Sequence, residues 1–419
     1  MTLISGGLMP DYGDHSVTDG SVGRPRPQAL AGQRKRILVI GKYYPPFQGG
    51  IEHVTQLYVD RLSQTHDVRT MVNAHDRTSG EERLGRARLT RLRTWFSAFS
   101  QPIAPSLMWK LRLSDYDMVQ FHAPNPFAGL VLWLHLACSR FRGVLVIVHH
   151  MEIHGRGLIR ACVQPIYLAL VRRAAWVAVS SRKNFALSRD LPADAPIVTL
   201  PFCVRADEYS ISASTRAETL AWRRARYGKA PLVGFVGRHA RYKGLDVLVR
   251  ALAEMPNVRA VIAGDGPTRA ETMTLANALG VADRIDFPGA LNHADKLRLL
   301  SAIDVFAFPS TENTEAFGVS QLEAMQVGAV VVASDLPTGV TDISIDEETA
   351  LVARPGDPED LARQLTRVLT DRDLANRLRT NAAAHVERTF SEPAVLTELD
   401  RLTRVALQSP TGQPQARVR

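Results

Sequence analysis

At 419 residues, 45% apolar and 22% charged, the chain has the length and make-up of a soluble enzyme of two or three domains, which excludes a disordered or fibrous protein. Its three well-separated cysteines, Cys138, Cys162 and Cys203, suggest neither a disulfide framework nor a metal knuckle, and they fit a reducing compartment. The net charge of +9 sits wholly in the first half: residues 1–205 carry 26 basic and 14 acidic side chains, the remainder 25 and 28.

The N-terminus lacks the basic-then-apolar order of a signal peptide. Residues 1–33 are rich in Gly, Pro, Ser and Asp without an apolar face, and read as a disordered tail. Order begins with the strand run Arg36–Ile40. A turn, Tyr44-Pro45-Pro46-Phe47-Gln48-Gly49-Gly50, then leads into a helix from Ile51 to Leu62. Next come five arginines, Arg83, Arg86, Arg88, Arg91 and Arg93, followed by Trp95, Phe96 and Phe99. Basic charge beside aromatics suits an anionic membrane surface or nucleic acid; a solvated strand and loop explains it equally well. The longest apolar stretch, Phe127 to Cys138, is too short to span a bilayer and contains His135.

Further strands are expected at Val68–Val72, Met118–Phe121, Val144–Val148, Trp176–Ser180 and Ile197–Leu200, with helices between most of them. The polar segment 212–229 is expected to include a linker. The pattern then restarts: Leu232–Val236, Ala260–Ala263, Ile285–Phe287, Val305–Phe308, Val330–Ala333 and Ala350–Val352. A helical stretch covers about Pro358–Val386. Residues 391–407 form a last helix that packs back toward the first domain, and 408–419 a polar tail. The predicted class is α/β, with two parallel-sheet domains in tandem, 34–211 and 230–390, facing across a cleft at the carboxyl ends of their strands.

Three loops of the second domain fall at that cleft. Strand Leu232–Val236 ends in Gly237-Arg238, with Lys243-Gly244 following; two cations with close-approach glycines suit a diphosphate. Strand Ala260–Ala263 ends in the tight turn Gly264-Asp265-Gly266-Pro267. Strand Val305–Phe308 closes with Pro309-Ser310 and is followed by Glu315-Ala316-Phe317-Gly318-Val319-Ser320-Gln321-Leu322-Glu323. Free amides at a helix start attract phosphate. The two acids, eight residues apart, span about 12 Å along a helix at 1.5 Å per residue, the reach from a nucleotide's ribose to a sugar beyond its phosphates. Alone, the same pair also fits a solvated loop acid and a satisfied helix acid.

Together these segments resemble the retaining glycosyltransferases of family 4, which have the GT-B fold. The likeness runs from about Arg34 to Ser391 and is carried by Tyr43-Tyr44-Pro45-Pro46 with Gly49-Gly50-Ile51-Glu52, by Gly237-Arg238 with Lys243-Gly244, by Gly264-Asp265-Gly266-Pro267, by the Glu315/Glu323 pair and by Pro355-Gly356-Asp357. It implies that Arg238 and Lys243 neutralise the donor diphosphate, that Glu315 holds the transferred sugar and that Glu323 holds the ribose. It further implies that the amides of Phe317, Gly318 and Val319 cap the sugar-phosphate end, and that Gly49 and Gly50 approach the diphosphate from the first domain. His150 matches a histidine near the transferred sugar and acceptor. The family's aromatic-His-Ser-Asp is here His149-His150-Met151-Glu152, so either histidine could face the cleft.

The reaction this resemblance implies is transfer of a sugar from a nucleoside-diphosphate donor, GDP- or UDP-linked, with anomeric configuration retained. No Asp-x-Asp pair closes a predicted strand, so no metal or other cofactor is expected. The similarity of Asp335-Leu336-Pro337-Thr338-Gly339-Val340 to bacterial polysaccharide mannosyltransferases points first to GDP-mannose. The expected partners are a lipid-linked or glycan acceptor and an anionic membrane surface met by the first domain, with no nucleic acid. The expected location is the cytoplasm, peripheral to the inner membrane face. A soluble acceptor with UDP-glucose or UDP-GlcNAc, and a GT-B sugar-nucleotide epimerase, are the alternatives.

Overall fold

The computed structural model describes residues 34–408 except positions 48, 77–78, 99–100, 140 and 153–157. The expected tails lie outside this range, save Gln408, which ends the last helix; Phe99 lies outside it too. Two sheets carry the fold. The first has eight strands in the order Ile197–Thr199, Trp176–Val179, Val144–His149, Met118–Ala123, Arg36–Ile40, Asp67–Asn73, Ala87–Leu92, Gly80–Leu84, and only the last is antiparallel. The second has six parallel strands: Ile285–Gly289, Arg259–Ala263, Leu232–Val236, Val305–Phe308, Val330–Ser334 and Leu351–Ala353. The arrangement is α/β and GT-B, as the resemblance implies.

Unbroken apolar runs make these strands because both faces of each sheet are covered. Along Arg36–Ile40, Leu38 and Ile40 enter a core shared with Leu132 and Leu170 of the helices Pro126–Cys138 and Leu158–Arg173. Ile37 and Val39 enter the opposite core, with Val59 and Leu62 of helix Gly50–Thr65. In that core too lie Val395, Leu399, Leu402 and Ala406 of the last helix, Glu392–Gln408. The chain therefore crosses back to its first sheet: Arg61 pairs with Asp400 at 2.6 Å and the Trp176 indole donates to the carbonyl of Leu402 at 3.3 Å. The outward and return crossings run side by side, with the amide of Val204 donating to the carbonyl of Phe390 at 2.9 Å.

Several elements differ from the sequence reading. Segment 212–229 is a helix, Ala213–Tyr227, capped by Ser212 and anchored in the second half by Tyr227 and Trp222. The arginine-rich stretch takes the strand-and-loop form of its two readings, as an edge hairpin, Gly80–Leu84 with Ala87–Leu92. Arg91 is not a free surface charge: it pairs with Glu82 at 2.8 Å and donates to the carbonyls of Tyr44 and Pro45. Stretch 358–386 breaks at Asp371 into two helices.

Candidate active site

The order of the second sheet reverses between Leu232–Val236 and Val305–Phe308, so a crevice opens at their carboxyl ends. The loops after those two strands carry Arg238 and Lys243 on one side and Glu315 on the other. Gly244 lets them meet: it is left-handed (φ 63°), and a Cβ there would run into the carbonyl of Pro309. Arg238 is exposed and makes no hydrogen bond or ion pair among the described residues. Lys243 turns inward, 9% exposed, with its Nζ on Oε2 of Glu315, itself 7% exposed. The ammonium lies 5.1 Å from the centre of the Phe308 ring and 5.4 Å from that of Tyr242. Ser310 adds a hydroxyl bond to the same carboxylate oxygen at 3.0 Å, and Thr338 fixes the Glu315 carbonyl at 2.8 Å. The cation expected on the diphosphate and the acid expected on the sugar thus hold each other.

Helix Val319–Val327 starts beside this pair. The amides of Phe317, Gly318 and Val319 have no partner among the described residues, so three N–H groups stand at the positive end of the helix. Gly318 is left-handed (φ 81°), and a side chain there would strike Phe308. The Phe317 ring anchors the loop, packed 5.2 Å from Phe202 and 5.8 Å from Phe390. Glu323 lies on the same helix. Its Oε1 accepts from Tyr209 Oη at 2.6 Å and from Lys296 Nζ at 2.8 Å, while Oε2 has no partner among the described residues. Burial first and the Glu323 charge second push the Tyr209 phenol far up, so it stays a donor. Lys296 and Tyr209 escape a sequence reading because each sits on a segment whose own pattern is complete without it.

The first sheet supplies the opposite wall. Gly49 and Gly50 open helix Gly50–Thr65, with the buried Glu52 packed against Gly49. The two histidines divide. His149 is buried and its Nδ1 meets the Tyr167 hydroxyl at 2.7 Å; its Nε2 lies 3.7 Å from Glu152. Burial raises the Glu152 carboxyl, but bonds from His149, Ser188 and Asp190 outweigh it and hold it at about 2. His150 is half-buried and lines a cavity with Tyr58, Ser180 and Phe202. Its Nε2 meets Nδ1 of His122 at 2.9 Å. Asn184, on the short helix after strand Trp176–Val179, ties this wall to the donor loop: its Nδ2 donates to the Ala316 carbonyl and its Oδ1 accepts the Gly339 amide.

Residues 217–385 match the family described as Glycosyl transferases group 1. The chain is 27% identical over 385 residues to O-antigen chain mannosyltransferase C of Escherichia coli, covering 89% of this chain and 99% of that one. It is 28% identical over 281 residues to D-rhamnosyltransferase WbpZ of Pseudomonas aeruginosa, covering 66% and 71%. Among solved structures, Anabaena Alr3699/HepE in complex with UDP superposes with a TM-score of 0.67 at 18% identity, covering 88% of this chain and all of that one.

Proposed function

We propose that this enzyme, a GT-B glycosyltransferase that draws on a nucleotide sugar, moves a hexose from a GDP-linked donor, GDP-mannose first, to a lipid-linked or polysaccharide acceptor at a membrane surface, with retention. The observation that carries the reading is the set of groups at the second sheet's crevice: Arg238 and three amides at one helix start, without partners among the described residues, and the Lys243–Glu315 pair. Charge develops on the leaving diphosphate as the sugar becomes oxocarbenium-like. Arg238 and the amides would meet that charge, and Lys243 would gain a second anion beside Glu315. Glu315 then holds the sugar hydroxyls, and the open Oε2 of Glu323 takes the ribose. The acceptor attacks from the leaving-group face, and the diphosphate itself can take its proton.

The choice of sugar and acceptor leans on the relatives, whose names are an O-antigen mannosyltransferase and a rhamnosyltransferase. The membrane leans on one stretch of the chain. From Arg83 to Arg112 there are seven basic residues and no acid. Trp95, Phe96, Met108 and Trp109 stand exposed along that stretch, Trp109 by 65%. Among the described residues no helix is long and apolar enough to cross a bilayer, so attachment would be peripheral. The deciding experiment is a panel of GDP-, UDP-, ADP- and dTDP-sugars in thermal-shift and hydrolysis assays. Stabilisation and turnover with GDP-mannose alone is the expected result. Preference for UDP-glucose would replace the donor, and an epimerised nucleotide sugar released without acceptor would replace the reaction.

A further inference from the structure

Beneath His150 lies a buried polar chain that no part of the transfer mechanism uses. Thr55, Gln120 and His122 are each 0 or 1% exposed, on helix Gly50–Thr65 and strand Met118–Ala123. A neutral imidazole carries one N–H, so fixing either nitrogen fixes the other. The Thr55 hydroxyl lies 2.8 Å from the carbonyl of Ile51 and 3.0 Å from Nδ1 of His122. A carbonyl can only accept, so the hydroxyl proton goes to Ile51 and His122 Nδ1 must be the donor. At the other side of the ring, the Gln120 amide nitrogen lies 2.8 Å from His122 Nε2. With the proton on Nδ1, Nε2 accepts from that NH₂ group. The Gln120 oxygen is then left buried without a partner, which is what is found. The opposite amide orientation would require a second proton on a ring whose pKa burial holds down to about 3.

The constraint passes on. His150 Nε2 lies 2.9 Å from the same His122 Nδ1–H, which it shares with Thr55; a protonated Nδ1 cannot accept, so Nε2 is the acceptor and the His150 proton sits on Nδ1. That atom has no partner among the described residues, and the ring lines the cavity shared with Ser180, Pro201 and Phe202. Burial, then His122 and His149, keep His150 neutral.

We propose that Thr55 and Gln120, acting through His122, are positioning residues that lock His150 as a hydrogen-bond donor through Nδ1, so that it offers an N–H to a substrate oxygen, a sugar hydroxyl in the proposed reaction, and is not a general base. Only that last step rests on the proposed transfer. The test begins with the full chain labelled with ¹⁵N-histidine, without substrate. Assignment uses His122→Asn and His150→Asn. Near neutral pH, both His122 and His150 should show a protonated Nδ1 and a bare Nε2; a proton on Nε2 of either ring overturns the inference. In Gln120→Glu the carboxylate accepts where the amide donated, so both tautomers should invert and His150 Nδ1 should become a lone pair. The kcat for sugar transfer should then fall about tenfold, the worth of one hydrogen bond, while affinity for GDP stays within about twofold. Inverted tautomers with unchanged kcat would remove the donor role. The substrate-free spectrum stands or falls independently of the reaction, and it needs no variant to fold beyond those used for assignment.

Discussion

Asn184, on the short helix Arg182–Leu187 of the first half, and Ala316, in the loop before helix Val319–Val327 of the second, are joined at 2.7 Å, amide nitrogen to carbonyl. The same side chain accepts from Gly339, so one asparagine of the first half sets the backbone between Glu315 and the adjoining helix. Asn184→Ala should lower kcat about 10- to 100-fold by loosening that geometry, with GDP affinity changed by no more than about twofold. Stopped-time transfer assays and calorimetry read the two numbers; an unaltered kcat would show the bridge to be passive.

Lys243 and Glu315 are a buried ion pair, so removing one partner strands the other. Lys243→Ala should cost about 3–5 kcal/mol of stability in denaturant melts, besides at least about 10² in turnover. The double change Lys243→Met with Glu315→Leu should recover most of the stability and none of the activity. Equal stability of the single and double variants would mean that the pair is not buried in solution.

The two acids should separate in calorimetry. Glu323→Ala and Lys296→Met should each weaken GDP binding, the latter about tenfold, because Lys296 orients the carboxylate proposed to take the ribose. Glu315→Ala should leave GDP affinity nearly intact and abolish transfer. Parallel losses in Glu315 and Glu323 variants would contradict the division of roles.

His122 gives stability a pH dependence. Its folded pKa, about 3, lies below the usual value of 6.5, so between the two the unfolded chain binds the extra proton. Its contribution is complete above about pH 6.5 and is lost as pH falls toward 3. His150, depressed by burial and then by His122 and His149, acts in the same direction. Melting profiles from pH 7.5 to 4 should show this slope, and His122→Asn should flatten it. An identical slope in that variant would place the effect elsewhere.

If the first half meets a membrane as proposed, the exposed Arg93, Lys110 and Arg112 should matter and the locked Arg91 should not. Replacing the three by Gln should release the protein from anionic vesicles, at about 1 kcal/mol per charge, and binding should weaken as salt shortens the screening length to about 10 Å at 0.1 M. Arg91→Gln should shift the melting midpoint and leave co-sedimentation unchanged. Equal binding to neutral vesicles would favour a soluble acceptor.

The sheets were legible because strands buried on both faces read as unbroken apolar runs, as in Val305–Phe308 and Val330–Ser334. The edge hairpin was legible only as a solvated strand and loop, since Glu81, Glu82 and Arg83 are exposed and break the apolar pattern. Charged residues in glycine-flanked loops at strand ends offered Arg238, Lys243 and Glu315 as candidates, and the helix that follows offered Glu323. What stayed hidden were the partners supplied from far along the chain. Tyr209 reaches Glu323 across 114 positions and Asn184 reaches Ala316 across 132. Gln120 and His122 look like interruptions in a strand until their neighbours are in place. The helix Ala213–Tyr227 read as a linker because its surface is almost wholly polar.

The return of the last helix to the first sheet bears on how the protein is made. Leu399 shares one core with Ile37 and Val39, yet it leaves the ribosome some 360 residues after them. At about 5–20 residues per second, that face of the nascent sheet waits roughly 20–70 s for its cover. Chaperone occupancy during synthesis should therefore persist until helix Glu392–Gln408 has emerged, and a message truncated before Glu392 should yield a chain that aggregates through its first sheet even though all eight strands of that sheet have been translated.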